Sequence, residues 1–206
     1  MHPKTKYAYT FIFFLSSLLG YGQNIRSGMY DYGLYLSYDA VSKKITGCYE
    51  DYSGWNEVVK APQFSCVFYI EGNCIENSCQ VSTYFPADFQ DDRINGKIWL
   101  KDKDTIAMYL DGEHGGCGNS LTMTDAPQKF TLQREMEWQQ IRFVKSGKSY
   151  FYKDAFGSDI ARAYLVKNDF LCIDKIAGNR AHGTYYGRVN TSGWIAIEDL
   201  NNPYQP

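Results

Sequence analysis

One short stretch, Glu113-His114-Gly115-Gly116-Cys117, gathers residue types that do chemistry. A carboxylate can act as a general base, an imidazole can shuttle protons, and paired glycines let a ligand approach the backbone. Cys117 beside His114 also has the local arrangement of an activated thiol nucleophile. The competing reading is structural. Asp111-Gly112 and Gly115-Gly116 are turn dipeptides, and a cysteine held in a disulfide cannot attack a substrate. A zinc site needs four close Cys or His ligands, and only His114 lies near a cysteine. The structural reading takes precedence, no metal or cofactor is expected, and a hydrolase using Glu113 and His114 is kept as an alternative.

A second group is Tyr52, Trp55, Asn56 and Glu57 around Ser53-Gly54. It reads as a glycine-containing loop whose aromatics either bind a sugar or peptide or fold back on the protein. Tyr52, Trp55, Glu113 and His114 are therefore the candidate ligand residues. Tyr150, Tyr152, Tyr185 and Tyr186 supply more aromatic surface than a small C-terminal core can bury, and form a candidate groove for an extended peptide. Each of these tyrosines can equally sit at a rim with its hydroxyl wet. Asp88, Asp91 and Asp92 lack the spacing of a calcium loop and read as solvated.

The elements that must carry these residues are strands. The 206-residue chain holds 18 Tyr, 12 Phe, 4 Trp and 18 Gly, a composition of short strands and turns. Tyr30, Tyr32, Leu34, Leu36 and Tyr38 alternate with Asp31, Gly33, Tyr35 and Ser37, the period of a half-buried strand. Similar runs follow at 45–50, 64–70, 80–85, 94–100, 105–110, 120–123 and 129–132, giving about eight strands with turns between them. Closing such a meander into a barrel removes exposed edges. A further set of runs opens at Trp138 and ends near Leu200.

Residues 1–22 have Lys4 and Lys6, an apolar run from Phe11 to Leu19 and Gly20-Tyr21-Gly22, the layout of a signal peptide. That run is too short for a membrane anchor, so the mature chain is expected to have no membrane span and to be exported, periplasmic or secreted. Residues 24–134 carry ten Lys and Arg against fifteen Asp and Glu, a net −5, while 135–206 are at +1. Five of the six cysteines also precede residue 135. Both shifts place a boundary near Arg134-Glu135-Met136-Glu137, dividing the chain into units at 24–134 and 135–206. A net charge of −2 with dispersed Lys and Arg removes a global case for nucleic-acid binding, and no nucleic-acid partner is expected.

Export makes disulfides the default state of cysteine. Cys74 and Cys79 flank a turn-forming stretch and suit a short hairpin bridge. Cys66 and Cys117 are the favoured long-range pair. Cys48 and Cys172 remain, and Cys172, inside an apolar strand, reads as a free core thiol. Six cysteines allow many other pairings, and the sequence does not choose among them.

Four pieces of the first unit, Gly28-Met29-Tyr30, Ile45-Thr46-Gly47-Cys48-Tyr49-Glu50, Phe64-Ser65-Cys66 and Glu113-His114-Gly115-Gly116-Cys117, resemble in order small exported calycin-like domains. The resemblance spans 27–132 and implies a β-barrel with a Cys66–Cys117 bridge, without a catalytic set. The second unit resembles a bacterial SH3-like (Src-homology-3-like) domain over 138–200, most specifically at Gly193-Trp194-Ile195. That resemblance implies wall or peptide binding, or support of a neighbouring domain. The expectation is an all-β protein of two small antiparallel barrels, acting as an exported non-catalytic binding protein of the cell envelope. Its ligand would be a cell-wall glycan, a peptide or another exported protein. A periplasmic inhibitor of a wall-degrading hydrolase is the alternative form.

Overall fold

The computed structural model describes residues 24–87, 93–117 and 122–204. The expected signal peptide and the acidic residues Asp88, Asp91 and Asp92 lie outside them. Eight strands form a closed antiparallel barrel: β1 (Gly28–Tyr30), β2 (Leu34–Asp39), β3 (Lys44–Asn56), β4 (Ala61–Ile75), β5 (Ser78–Tyr84), β6 (Ile94–Leu100), β7 (Thr105–Leu110) and β8 (Gln128–Glu135). Each pairs with its neighbour in sequence, and β1 closes the circle on β8, with Gly28 opposite Glu135. Inward positions fill the barrel with Leu34, Leu36, Tyr49, Phe68, Ile106 and Phe130, among others.

Three features of the barrel depart from the alternation pattern. The run from Tyr30 to Tyr38 is not one strand, because a 3-10 turn at Asp31–Gly33 splits it into β1 and β2. There the Asp31 carboxylate accepts from the Thr131 amide at 2.8 Å. Gly33, at φ +76°, lets the Glu50 carbonyl into space that a Cβ would occupy. The strand expected at 120–123 is absent where it is described: Met123 is buried in the barrel core outside any strand, held by the Leu110 amide on its carbonyl. Third, the expected loop around Ser53-Gly54 is strand. Beyond Tyr49 and Tyr69, β3 and β4 pair only with each other, down to Asn56 opposite Ala61.

The remaining strands are β9 (Gln140–Phe143), β10 (Lys148–Tyr152), β11 (Ile160–Val166), β12 (Phe170–Ala177), β13 (Arg180–Tyr185) and β14 (Thr191–Ala196). They form one antiparallel sheet in the order β11-β10-β14-β13-β12-β9, around a core that includes Phe151, Leu171, Ile173 and Ile195. The edge strands β11 and β9 form no ladder with each other. The backbone of β9 is bonded to the barrel instead: the Ile141 amide donates to Thr46 Oγ1 at 2.7 Å, and its carbonyl accepts from the Tyr69 hydroxyl at 2.8 Å.

The two units thus share a buried seam. Strands β3 and β4 are covered on both faces. Ile45, Tyr49, Phe68 and Ile70 point into the barrel, while Cys48 and Tyr69 pack against Trp138, Ile141, Phe143, Phe170 and Cys172. Ser27 and Ser37 both donate to the Trp138 carbonyl at 2.9 Å, which fixes the connection between the units. An apolar run such as Val67-Phe68-Tyr69-Ile70, without clean alternation, is the pattern of a strand buried on both sides.

Two bridges staple the barrel, Cys66–Cys117 across 51 residues and Cys74–Cys79 across the β4–β5 hairpin. Cys48 and Cys172 are buried free thiols. Among the described residues, no helix is long and apolar enough to cross a membrane.

Two stability measurements test this account. Replacing Cys66 and Cys117 together by Ser should cost roughly 3–4 kcal/mol in urea unfolding, the loop entropy released in the unfolded chain. Tyr69→Phe should cost about 1–2 kcal/mol, because it leaves the buried Ile141 carbonyl without its donor. A cost near zero would show that the seam does not depend on this bond.

Candidate functional site

The Glu113–Cys117 segment lies at the barrel end, where Cys117 is bridged to Cys66. His114 is only 3 % exposed, with its ring stacked on Phe68 at 4.8 Å and edge-on to Phe85. Its Nε2 lies 2.7 Å from the Thr83 hydroxyl. Glu113 is exposed and accepts from Thr124 Oγ1 at 3.2 Å. Both residues line one recess at the barrel end, together with Phe68, Leu110, Met123 and Thr124. Cys117 is spent in its bridge. Among the described residues, no group of three or more His, Cys, Asp or Glu is placed to hold a metal ion.

The four C-terminal tyrosines separate. Tyr150 pairs with Tyr164, and the Lys148 ammonium lies 4.7 and 3.7 Å from the two ring centres. Tyr152 is covered by the Arg180 guanidinium at 3.6 Å. Tyr185 and Tyr186 are on the other side of the unit, at the seam, where Tyr186 lies against Trp138 and Tyr35. No single groove contains all four.

Tyr52 and Trp55 sit on the most exposed apolar feature. From Tyr52 opposite Ser65 to Asn56 opposite Ala61, β3 and β4 form a free-standing ribbon five residues long per strand. At about 3.3 Å per residue it extends roughly 15 Å. Its turn is set by Asn56, whose side-chain oxygen accepts from the amides of Val58 and Val59 at 2.9 and 3.2 Å. Val58 is 91 % and Trp55 55 % exposed, and Tyr52, Val59 and Phe64 are also exposed. Gly54, at φ +66°, leaves room for the Phe64 ring, which a Cβ would meet at 2.9 Å. Trp55 and Phe64 continue the face that carries Tyr49 and Phe68 inside the barrel. Tyr52 continues the opposite face, after Cys48 and Glu50. The Cys66–Cys117 bridge ties the root of the ribbon to the Glu113–Cys117 segment, so that segment anchors the ribbon. The residue types here were legible in the sequence. Their display on a strand pair was not, because Ser53-Gly54 and Pro62 read as loop signals.

Between the ribbon root and the second sheet lies a small recess whose inner space holds about one water molecule. The rings of Tyr35, Tyr185, Tyr186 and Phe170 line it, together with Glu50. The thiols of Cys48 and Cys172 complete the wall, and burial holds both well above the ordinary thiol range. Desolvation also raises the Glu50 carboxyl, opposed by the hydrogen bond from the Tyr52 hydroxyl, and nearby Asp169 raises it further. Tyr35 is pushed up to about 12, chiefly by burial. The sequence reading missed Glu50 and Tyr35, since each is unremarkable until β12 and β13 are placed beside β3.

No family model matches the chain, and neither curated proteins nor solved structures yield a match. The class is therefore stated by architecture: a closed eight-stranded antiparallel barrel, stapled by two disulfides and joined to a second antiparallel sheet. Two disulfides are the chemistry of an oxidising compartment.

Two predictions follow from burial. His114→Ala should cost about 2–4 kcal/mol, since it removes a buried ring stacked on Phe68 and leaves a cavity at the barrel end, whereas Trp55→Ala should change stability by about 0.5 kcal/mol or less. Both are read from urea midpoints. The raised Glu50 carboxyl binds its proton more tightly in the folded than in the unfolded chain, so ionising it weakens folding as pH rises through that range. Glu50→Gln should therefore raise the melting temperature at pH 7, and the gain should fade below the ordinary carboxyl value of 4.5. A gain independent of pH would refute this assignment.

Proposed function

We propose that the protein is an exported, non-catalytic binding protein of the cell envelope that inserts its β3–β4 ribbon into a cleft on another exported protein. The carrying observation is the ribbon itself. Five large apolar side chains, Tyr52, Trp55, Val58, Val59 and Phe64, stand exposed on one projecting element. Aromatic anchors of this kind dominate the energetics of protein interfaces. An apolar cluster left in water on a soluble protein marks an interaction site. A convex finger fits a concave partner, which favours a cleft over a flat surface.

Charge narrows the partner. Residues 50–67 carry Glu50, Asp51 and Glu57 against Lys60, on a unit at −5. Such a surface steers towards a basic protein. A wall-degrading hydrolase with a basic active-site cleft is the concrete form, which makes the protein its inhibitor. The calycin-like and SH3-like resemblances accord with this reading: a stapled barrel presents the ribbon, and the second unit supports it through the seam. Glu113 and His114 enter as part of the root that holds the ribbon, without a role in turnover. The signal-peptide layout and the disulfides together support a periplasmic or secreted location.

The test uses the full mature chain with a basic lysozyme-type hydrolase. Inhibition is expected at about 10 μM or below, and Trp55→Ala and Val58→Asp should weaken it about tenfold or more while circular dichroism stays unchanged. Absence of inhibition removes the hydrolase as the partner. Co-sedimentation with wall glycan that depends on Trp55 would assign the ribbon to sugar stacking and overturn the protein-cleft reading.

A further inference from the structure

The outer face of the barrel carries a polar hollow that the ribbon does not use. On β4, β5 and β6 the core residues Ile70, Cys79, Val81 and Ile98 point inward, and the residues between them point out. Cross-strand pairing sets these outward residues in two rows, Asn73–Gln80–Lys97 and Glu71–Ser82–Asn95. Lys44 on β3 extends the first row, opposite Asn73. Pro203 and Tyr204 wall one side, and the space enclosed is about 460 Å³, the size of a small-ligand site. The second unit holds that wall in place. Asn201 accepts from the Phe143 amide through its side chain at 2.8 Å, and from Arg142 through its carbonyl at 3.2 Å. A shallower hollow of about 340 Å³ adjoins the first across the Gln80–Lys97 pair, lined by Trp99, Ile75 and the β4–β5 turn.

The lining selects a ligand. The side-chain amides of Asn73, Gln80 and Asn95 are exposed and enter no hydrogen bond among the described residues. Each amide offers donors and an acceptor, which match the donor and acceptor of a hydroxyl. Glu71 is fixed by Arg93 at 2.9 Å and by the Tyr84 hydroxyl at 3.0 Å. Of the charged lining residues, Lys44 and Lys97 are balanced by Glu71 and Glu76, so the surface favours a ligand without net charge. Tyr204 has its hydroxyl buried, so it presents its ring to the hollow. Trp99 supplies a second ring. Aromatic rings give flat apolar surface that packs on the C–H face of a sugar. Tyr204 lies beside Lys44 of β3, whose ammonium is 5.7 Å from the ring centre, and Trp99 is on β6. The two rings are therefore at least three strand spacings apart, roughly 14 Å at about 4.8 Å each, which suits a chain of sugars better than a single ring. A peptide is disfavoured, because β3 to β6 are paired on both sides and leave no edge for an added strand.

We propose that this face binds a neutral oligosaccharide, with Tyr204 and Trp99 as stacking platforms and the amides of Asn73, Gln80 and Asn95 reading its hydroxyls. Glu71, ordered by Arg93, is a further acceptor. The ribbon leaves the barrel at the opposite end of the same two strands, β3 and β4. A bound saccharide therefore leaves the ribbon free to engage its partner. That consequence rests on the ribbon reading, while the saccharide site itself does not.

The experiment follows the side-chain amide signals of Asn73, Gln80 and Asn95 in the isotope-labelled full mature chain. The titrants are cellotriose, maltotriose and tri-N-acetylchitotriose, with tetraglycine as the peptide control. Saturable shifts of these amides are expected with at least one trisaccharide at millimolar concentration, and none with tetraglycine. Asn73→Ala combined with Gln80→Ala should weaken that binding by about tenfold or more, as expected when two hydrogen bonds are lost. Both residues are exposed, so the urea midpoint of the double variant should stay unchanged, which separates lost binding from lost fold. Tyr204→Phe should keep the binding and Tyr204→Leu should lose it, because the ring is what the site uses. No saturable shift with any of the three sugars, equal shifts with tetraglycine, binding unchanged in the double variant, or equal binding in Tyr204→Leu and Tyr204→Phe would each overturn the proposal. Trp55→Ala should keep saccharide binding and the double variant should keep hydrolase inhibition, so the two readings fail separately.

Discussion

Tyr69 is the point on which the two halves turn. Its ring is fully buried between Tyr84, Phe143 and Phe170, and its hydroxyl reaches the Ile141 carbonyl. A tyrosine in that position needs apolar surroundings and one acceptor, and the second sheet supplies both. The constraint extends outward. Because β3 and β4 are covered by the sheet on one face and by barrel core on the other, they are rigid where they leave the barrel. A two-stranded ribbon is marginal in water when isolated. Here it is rooted in a doubly buried strand pair and tied by Cys66–Cys117.

The same constraint fixes the Glu113-His114 segment in place. The disulfide that fixes the ribbon root also fixes this segment, and His114 becomes a packing residue over Phe68. The buried imidazole packs on Phe68 and is bonded through Nε2 to the Thr83 hydroxyl. The free thiols follow a parallel logic. Cys48 and Cys172 face a shared recess, yet burial keeps them protonated, and thiolate is the form that attacks a disulfide. Their reduced state beside two formed bridges is thus consistent with their surroundings.

Much of the fold could be read from particular residues. Most strand positions from Ile45 to Leu132 followed from short apolar runs and the Gly, Asn and Asp turns between them, the run at 120–123 excepted. The Tyr30–Tyr38 run misled because alternation persists through Asp31-Tyr32-Gly33, although the backbone there reverses to positive φ at Tyr32 and Gly33. Side-chain period alone does not register such a break. The ribbon misled for the opposite reason: Gly54 and Pro62 are loop residues by propensity, but cross-strand pairing from Trp55 to Pro62 overrides them.

By itself the sequence determined the all-β class, the charge difference between the halves, the residues available for aromatic contact and the cysteines suited to bridging. These properties are local: each depends on a residue's type and on neighbours a few positions away. Tertiary structure alone decided that Glu50 and Tyr35 share a recess with Tyr185 and Tyr186, that His114 turns inward, and that Tyr52 and Trp55 project into solvent. Each of those outcomes depends on which strand lies beside which, and on the docking of a sheet more than a hundred residues downstream. No pattern of types along the chain encodes that packing before the chain has folded.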